Sequence, residues 1–323
     1  MSKGLVAFKP GGPEVLVWQD VATARPGDGE VRLRHTAIGV NFLDIYYRSG
    51  LYAWPEETMI PGAEAAGVVE EVGPGVAGFK PGDRVAYVMH HGAYREERVM
   101  PASRLIHLPE GISDQTAAGV LLKGLTTQYL VTSSYAVKAG DTVLVHAAAG
   151  GVGLLLGQWL KSLGARAIGT AGSAEKVALA LQYGYDHVVN YNEQDYVPVV
   201  RDLTEGQGCA AVYDSVGNDT WRGSLKCLAR FGMFVSFGQS SGMIRNFSFS
   251  DLASGSLSAN RPVLFDYIAS REELERRSVD LFSRLLGGGL RTEVSSTGRL
   301  QEAPLFHALI EQRQTKGAII LIP

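Results

Sequence analysis

Cysteine is nearly absent: Cys209 and Cys227 are the only two in 323 residues. A disulfide framework needs more of them, closely spaced in a smaller secreted chain, so that class is excluded. Both sit among apolar neighbours and read as small buried hydrophobes rather than reactive thiols. Long apolar runs are also lacking. No stretch reaches the length that crosses a bilayer, and Met1 to Pro10 has no core of signal-peptide length. A cytoplasmic protein without a membrane partner is expected. Positive charge is not in excess either: 30 Lys and Arg face 33 Asp and Glu, a formal net charge of -3, with no basic run. That balance offers no electrostatic hold on nucleic acid or an anionic membrane.

What is present is enough chain for two cores. The first third reads as short strands set off by turns. Val31 to Arg34 alternates apolar and charged residues, Gly67 to Gly73 is a short strand between glycines, and Lys80-Pro81-Gly82-Asp83 turns into Arg84 to Val88. Near Ser113 the rhythm changes. The run to Val131 is largely apolar and free of proline, which predicts a long buried helix. Five apolar strands follow, over 142–147, 165–170, 187–191, 210–214 and 233–237. They alternate with helices over 173–183, where Ser173 is a candidate N-cap, and over 220–229. Parallel strands need crossovers of this length, so the middle of the chain predicts a doubly wound α/β sheet. Further on, Ser270-Arg271-Glu272-Glu273 forms a capping box for a helix to Leu286, which Gly287-Gly288-Gly289 ends. A helix over 303–312 leads to a last strand over 318–322. The predicted division is discontinuous: residues 1–123 and 266–323 form one strand-rich domain around an inserted domain of residues 124–265.

The most informative segment is Leu144-Val145-His146-Ala147-Ala148-Ala149-Gly150-Gly151-Val152-Gly153. A strand enters a tight turn of small residues and a helix leaves it. Gly150 lets the backbone approach a pyrophosphate, and Gly153 lets the helix pack against the strand. The N–H groups and positive end of that helix then face the phosphates. Ala148 stands where the fingerprint has its first glycine. Such a turn can also be purely structural, but a strand before, a helix after and more βα repeats downstream favour a dinucleotide. An NAD site carries Asp or Glu at the end of the next strand, for the ribose 2′-hydroxyl. Here that position reads Thr170-Ala171-Gly172-Ser173, with Lys176 close behind. A hydroxyl, a helix start and a lysine attract a 2′-phosphate, so NADP(H) is the expected cofactor. The bland alternative is that Lys176 is a solvated helix residue.

These segments resemble the zinc-independent quinone oxidoreductase branch (zeta-crystallin-like) of the medium-chain dehydrogenase/reductase superfamily. The resemblance runs from Gly140-Asp141 through Leu144, Ala148-Ala149-Gly150-Gly151-x-Gly153, Gln158 and Lys161. It extends to 11–16, 41–46, 48–52, 213–217, 235–238 and the closing Leu321-Ile322-Pro323, essentially the whole chain. It implies a GroES-like catalytic domain beside a Rossmann domain, an active site in the cleft between them, and a homodimer. It also implies roles for single residues. Asn41 lies near the nicotinamide, and Tyr46, Tyr52 and Thr126 line the acceptor pocket. Thr127, Ala149, Gly150, Gly151 and Val152 belong to the cofactor site, with Ser173, Lys176 and Tyr191 at the adenosine phosphate end. Ser215, Phe237, Gly238, Ser240, Leu264 and Phe265 lie along the remaining cofactor path, and Lys316 is a further basic candidate. Ordinary packing or a dimer contact is the alternative for Tyr46 and Tyr52.

Zinc-dependent relatives place a cysteine where this chain has Asn41 and a histidine where it has Ala63. Neither asparagine nor alanine replaces a thiolate or imidazole, and no cysteine cluster lies between Arg84 and Glu110, so no metal is expected. His90-His91 is the only close histidine pair and reads as a surface loop. Without a Lewis acid, alcohol oxidation is difficult, whereas a quinone accepts electrons readily. Three functions follow. NADPH-dependent quinone reduction by one-electron transfer, giving a semiquinone, leads. Reduction of an enone or alkenal double bond is the second, and an NADPH-binding protein with little turnover, as in lens crystallins, is the third.

Overall fold

The computed structural model describes residues 2–323. In chain order the strands and helices begin with β1 (Ser2–Val6), β2 (Val17–Val21), β3 (Glu30–Gly39), α1 (Phe42–Arg48), β4 (Glu64–Val72), β5 (Arg84–Val88), β6 (Glu97–Pro101) and β7 (Leu105–His107). Then come α2 (Asp114–Tyr129), β8 (Thr142–Val145), α3 (Gly151–Ser162), β9 (Arg166–Ala171), α4 (Ala174–Gln182), β10 (His187–Asn190), α5 (Tyr196–Leu203), β11 (Cys209–Asp214), α6 (Trp221–Cys227), β12 (Leu228–Ser236), β13 (Ser258–Asn260) and α7 (Leu264–Tyr267). The chain closes with α8 (Arg271–Leu286), β14 (Val294–Arg299), α9 (Ala303–Glu311) and β15 (Ala318–Ile322). It divides into two compact units. Met1–Lys123, Ile268–Leu286 and Thr292–Pro323 make the first, and Gly124–Tyr267 with Gly287–Arg291 the second. Relative to the predicted limits, the second unit runs two residues further and recruits the glycine-rich turn after α8. Gln158 explains that recruitment: its side chain donates to Arg291 O (3.0 Å) and accepts from Arg291 N (2.9 Å), and the Arg291 guanidinium lies over the Tyr183 ring.

The first unit is built on a sheet ordered β14-β15-β3-β4-β5-β7, with β6 also pairing β3. β3 is its hub, because it pairs with β4, β6 and β15 and alternates buried and less buried residues from Glu30 to Ala37. Val31, Leu33, Val69, Val85, Tyr87 and Leu321 fill the core beside it. The register sets Gly39 opposite Glu64, which matters for the site below. Buried His35 is held by two partners, Arg95 O at 2.6 Å from Nδ1 and Tyr87 Oη at 2.8 Å from Nε2. It remains neutral, its pKa lowered to about 3 chiefly by burial.

The second unit carries six parallel strands in the order β10-β9-β8-β11-β12-β13. Counted within that unit the order is 3-2-1-4-5-6, the doubly wound Rossmann arrangement in which the strand order reverses between the first and fourth strands. The short strands are apolar because both faces are covered. Leu144, Ile168, Val212 and Phe234 stack across the sheet, with Trp221 against them. Two elements depart from the sequence reading. The helix predicted over 220–229 stops at Cys227, and β12 starts at Leu228 rather than Met233, pairing Leu228 with Cys209 across a register shift. Propensity favoured a continued helix, but pairing along β11 wins. The helix predicted to Val131 ends at Tyr129 and relaxes into a π-helical turn over Leu130–Ser134. Cys209 and Cys227 are fully buried, and burial raises both thiols to about 12.

Candidate functional site

In the second unit, β8 delivers the chain into the predicted phosphate turn. Ala147 adopts a left-handed φ of 54°, Ala148 N donates to Thr170 O (2.9 Å), and Gly150 N donates to Ala147 O (2.9 Å). Gly150 is then the N-cap of the twelve-residue α3. A methyl on Gly153 would lie 2.4 Å from Ala147 O and 2.7 Å from Ala148 O, so only glycine allows this approach of helix to turn. Ala149, Gly150, Gly151 and Val152 thus gather at the positive end of a long helix. This cradle fits a dinucleotide pyrophosphate.

The ends of β9 and β10 bring Ser173 and Tyr191 to the same side of the sheet. Ser173 caps α4, its Oγ accepting from Lys176 N (3.3 Å), and Lys176 sits in the first helical turn. Tyr191 N donates to Ala171 O (3.0 Å), and a methyl on Gly172 would lie 2.5 Å from the Tyr191 hydroxyl. Gly172 is therefore a spacer that admits the tyrosine, and neither it nor Ser173 offers a carboxylate. Ser215, Phe237, Gly238 and Ser240 are also drawn together. Phe237 N donates to Asp214 O (2.9 Å), Ser240 N to Ser215 O (3.2 Å), and a methyl on Gly238 would lie 2.7 Å from Ser215 O. Thr126 and Thr127 are buried on α2, and Leu264 and Phe265 open α7. Lys316 belongs to the first unit, in the segment between α9 and β15, where its carbonyl accepts from Ser295 Oγ.

A buried polar chain, which the sequence reading missed, runs behind these strand ends. Ser224 Oγ donates to Asp214 Oδ2 (2.9 Å) and so accepts from His146 Nε2 (2.9 Å), which leaves Nδ1 to accept from Thr170 Oγ1 (2.9 Å). Burial lowers the His146 pKa and keeps the ring neutral. The only signal for it was a histidine and an aspartate closing apolar strands.

In the first unit, Asn41 is buried at the N-cap of α1, the helix that carries Tyr46. The Tyr46 and Tyr52 ring centroids are 5.4 Å apart, and Tyr52 N donates to Tyr46 O (3.0 Å). The aromatic group is larger than predicted. Phe42 lies 6.0 Å from Tyr46, and Tyr47 lies 5.5 Å from Tyr52. Tyr47 is also in ring contact with His91 at 5.7 Å and hydrogen-bonded to His90 Nδ1 at 3.2 Å. The histidine pair thus borders this wall.

Below the wall lie charges that sequence reading did not weigh. Fully buried Glu64 accepts from Asn41 Nδ2 (2.9 Å), Lys123 Nζ (2.6 Å) and Leu122 N (2.7 Å). A single lysine in the otherwise apolar run after Ala117 was the signal for a buried counter-charge. Asp44 Oδ2 accepts from Asn41 N (2.8 Å) and Tyr94 Oη (3.0 Å), while its Oδ1 is buried without a hydrogen-bond partner. Burial raises Asp44 to about 7. The Tyr94 hydroxyl, which donates its hydrogen bond to Asp44, accepts from His307 Nε2 (2.9 Å), whose Nδ1 accepts from the Arg48 guanidinium at 3.3 Å. Burial, with that guanidinium beside it, lowers His307 to about 3.

The comparisons with known proteins agree with this architecture. Residues 27–110 match the alcohol dehydrogenase GroES-like domain and residues 151–284 the zinc-binding dehydrogenase domain, which defines a GroES-like domain carrying an inserted Rossmann domain. The chain is 46% identical to a quinone oxidoreductase of Pseudomonas aeruginosa, over all of both proteins. It is 44% identical to a 2-haloacrylate reductase of Burkholderia, over all of this chain and 99% of that one. It superposes on the Escherichia coli quinone oxidoreductase complexed with NADPH with a TM-score of 0.95 and 43% identity, covering 99% of this chain and 100% of that one. The chain belongs to the quinone oxidoreductase family of the medium-chain dehydrogenase/reductase superfamily. At the two positions where the resemblance sets the ligands of zinc-dependent relatives, the Asn41 amide nitrogen donates to Glu64 and Ala63 has no donor atom. Among the described residues, no group of three His, Cys, Asp or Glu is arranged to hold a metal ion.

Proposed function

We propose that this protein reduces small quinones with NADPH, without a metal, one electron at a time. The observation that carries the reading is the aromatic wall on α1 and the loop after it, Tyr46 with Tyr52 at 5.4 Å, flanked by buried Asn41. Flat rings stack on a quinone, and phenolic hydroxyls bond its oxygen. Bound NADPH supplies the electrons from its nicotinamide ring. The phosphate turn at Gly150–Val152 holds the pyrophosphate in this reading, Ser173, Lys176 and Tyr191 take the adenosine end, and Thr126 faces the acceptor. The chain's main contribution is to hold donor and acceptor in contact. A cytoplasmic homodimer is part of the same proposal; no described helix is long and apolar enough to cross a membrane.

The 44% identity to a 2-haloacrylate reductase favours a second reading, reduction of a conjugated carbon–carbon double bond. That reaction must protonate the neighbouring carbon, which asks for a positioned tyrosine or water. NADPH oxidation by the purified protein against 1,4-benzoquinone and against 2-chloroacrylate separates the two. Quinone turnover with a semiquinone radical signal by electron paramagnetic resonance is the expected result. Two semiquinones disproportionate to one quinone and one hydroquinone, so the radical and not the net ratio marks the single-electron step. Quinone turnover without a radical, under anaerobic conditions, would remove the single-electron step. Turnover of 2-chloroacrylate alone would move the function to double bonds, and turnover of neither would leave an NADPH-binding protein.

A further inference from the structure

The Asn41 amide is held by charge from one side only. Its Nδ2 donates to Glu64 Oε1 at 2.9 Å, and the same oxygen accepts from Lys123 Nζ at 2.6 Å. The second carboxylate oxygen accepts from Leu122 N at 2.7 Å, so the Glu64 carboxylate is committed at both ends and cannot swing away. Glu64 is fully buried, and Asn41 and Lys123 are nearly so. The backbone makes a slot for the carboxylate. A methyl on Gly39, opposite Glu64 in the β3–β4 register, would lie 2.4 Å from Glu64 Oε1 and 2.1 Å from Ala118 O. Asn41 itself is pinned as a helix cap, with its N donating to Asp44 Oδ2 and its carbonyl accepting from Asp44 N.

A carboxylate paired with an ammonium accepts hydrogen bonds and has none to give. Turning the Asn41 amide over would set two acceptor oxygens against each other in a buried space, a loss of the hydrogen bond and a repulsion besides. The amide nitrogen therefore faces Glu64, and the amide oxygen, turned to the N-terminus of α1 in the capping box with Asp44, is the acceptor end. We propose that Glu64, kept in place by Lys123, is a positioning residue that orients Asn41 so that its Oδ1 accepts a hydrogen bond from the carboxamide N–H of the nicotinamide. This rests on the proposed function, in which Asn41 lies beside that ring. The sequence pattern that goes with it is a glycine at 39, an amide at 41, an acid at 64 and a lysine at 123.

The test compares NADPH with adenosine 2′,5′-bisphosphate, which carries the adenosine end and no nicotinamide, by titration calorimetry. Glu64→Gln/Lys123→Met removes both charges together while keeping the side-chain volumes, and Asn41→Ala removes the oriented group directly. Each should weaken NADPH about tenfold while leaving the bisphosphate within twofold. Joining all three substitutions should weaken NADPH no further than Asn41→Ala alone. Glu64→Asp, which keeps the charge on a shorter stem, should recover part of the loss and guards against a double variant that fails to fold. If NADPH binds the charge-removed or shortened variants as it binds the parent, the positioning role is wrong. Losses that multiply rather than overlap, or that fall equally on the bisphosphate, overturn it as well. A parent protein that binds neither ligand would instead overturn the cofactor reading, and this inference with it.

Discussion

Lys176 shows how much one side chain can decide. It occupies the third position of α4, and its backbone N–H is already given to the Ser173 cap, so the role proposed for it in cofactor binding falls to the ammonium group. A charge-assisted hydrogen bond to a 2′-phosphate contributes about 1.5–3 kcal/mol, or roughly tenfold or more in affinity. Lys176→Ala should therefore weaken NADPH at least tenfold and NADH less than twofold, measured by quenching of protein fluorescence. Equal losses for the two cofactors would show that the lysine does not read the phosphate. At this scale the sequence spoke through residue type: a missing acid after β9, glycines at 150 and 153, asparagine at 41. It was silent about Glu64 and His307, because a buried polar residue looks like any other until its partner, dozens to hundreds of positions away, is known.

Among elements, the turn after β11 depends on one carboxylate. Asp214 is fully buried and accepts from Val216 N (2.8 Å), Gly217 N (2.9 Å), Thr220 Oγ1 (2.7 Å) and Ser224 Oγ (2.9 Å). Through Ser224 it also orients His146, at the end of β8. Asp214→Ala leaves several buried donors without an acceptor, each costing on the order of 1–3 kcal/mol. A loss of about 3 kcal/mol or more in unfolding by urea is expected, together with weaker NADPH binding, because Ser215 follows directly. Unchanged stability would mean that water or rearranged hydroxyls take over those bonds. Element type was legible along most of the chain: β5 matches its predicted span, and α8 starts from the predicted box, where Ser270 Oγ accepts from Glu273 N (3.2 Å). The misread boundary at Cys227 came from pairing with β11, a contact that no local window contains.

Over the whole molecule, buried titratable groups set the response to acid. His35 and His307 are lowered to about 3 and His146 is lowered too, all chiefly by burial. Unfolding lets each bind a proton below about pH 6.5, where the folded state does not, so stability is lost as pH falls through that value. Asp44 acts in the opposite sense. Raised to about 7, it keeps its proton in the folded state after an exposed aspartate has lost it, so it favours the fold below pH 7. His35 and His307 against one carboxyl give a net loss of about 1.4 kcal/mol per pH unit between roughly pH 6.5 and 4, and His146 adds to it in the same direction. Calorimetric melting should show Tm several degrees lower at pH 5.5 than at pH 7.5. A Tm that is level or rises on acidification would contradict the neutral buried state of these histidines.

The architecture was legible from local patterning alone, and so was the expectation of a dinucleotide site. Hydrophobic periodicity, turn residues and helix caps act within a few residues, so alternating strands and helices, and a glycine turn aimed at phosphate, can be read in one dimension. The tertiary structure decided what stands behind those features. It brought Lys123 to Glu64 and Glu64 to Asn41, closed the chain from Arg48 through His307 and Tyr94 to Asp44, and set His146 between Thr170 and Ser224. Burying a charge or a polar ring is costly unless a partner arrives with it, and only the folded chain says which distant residue that partner is.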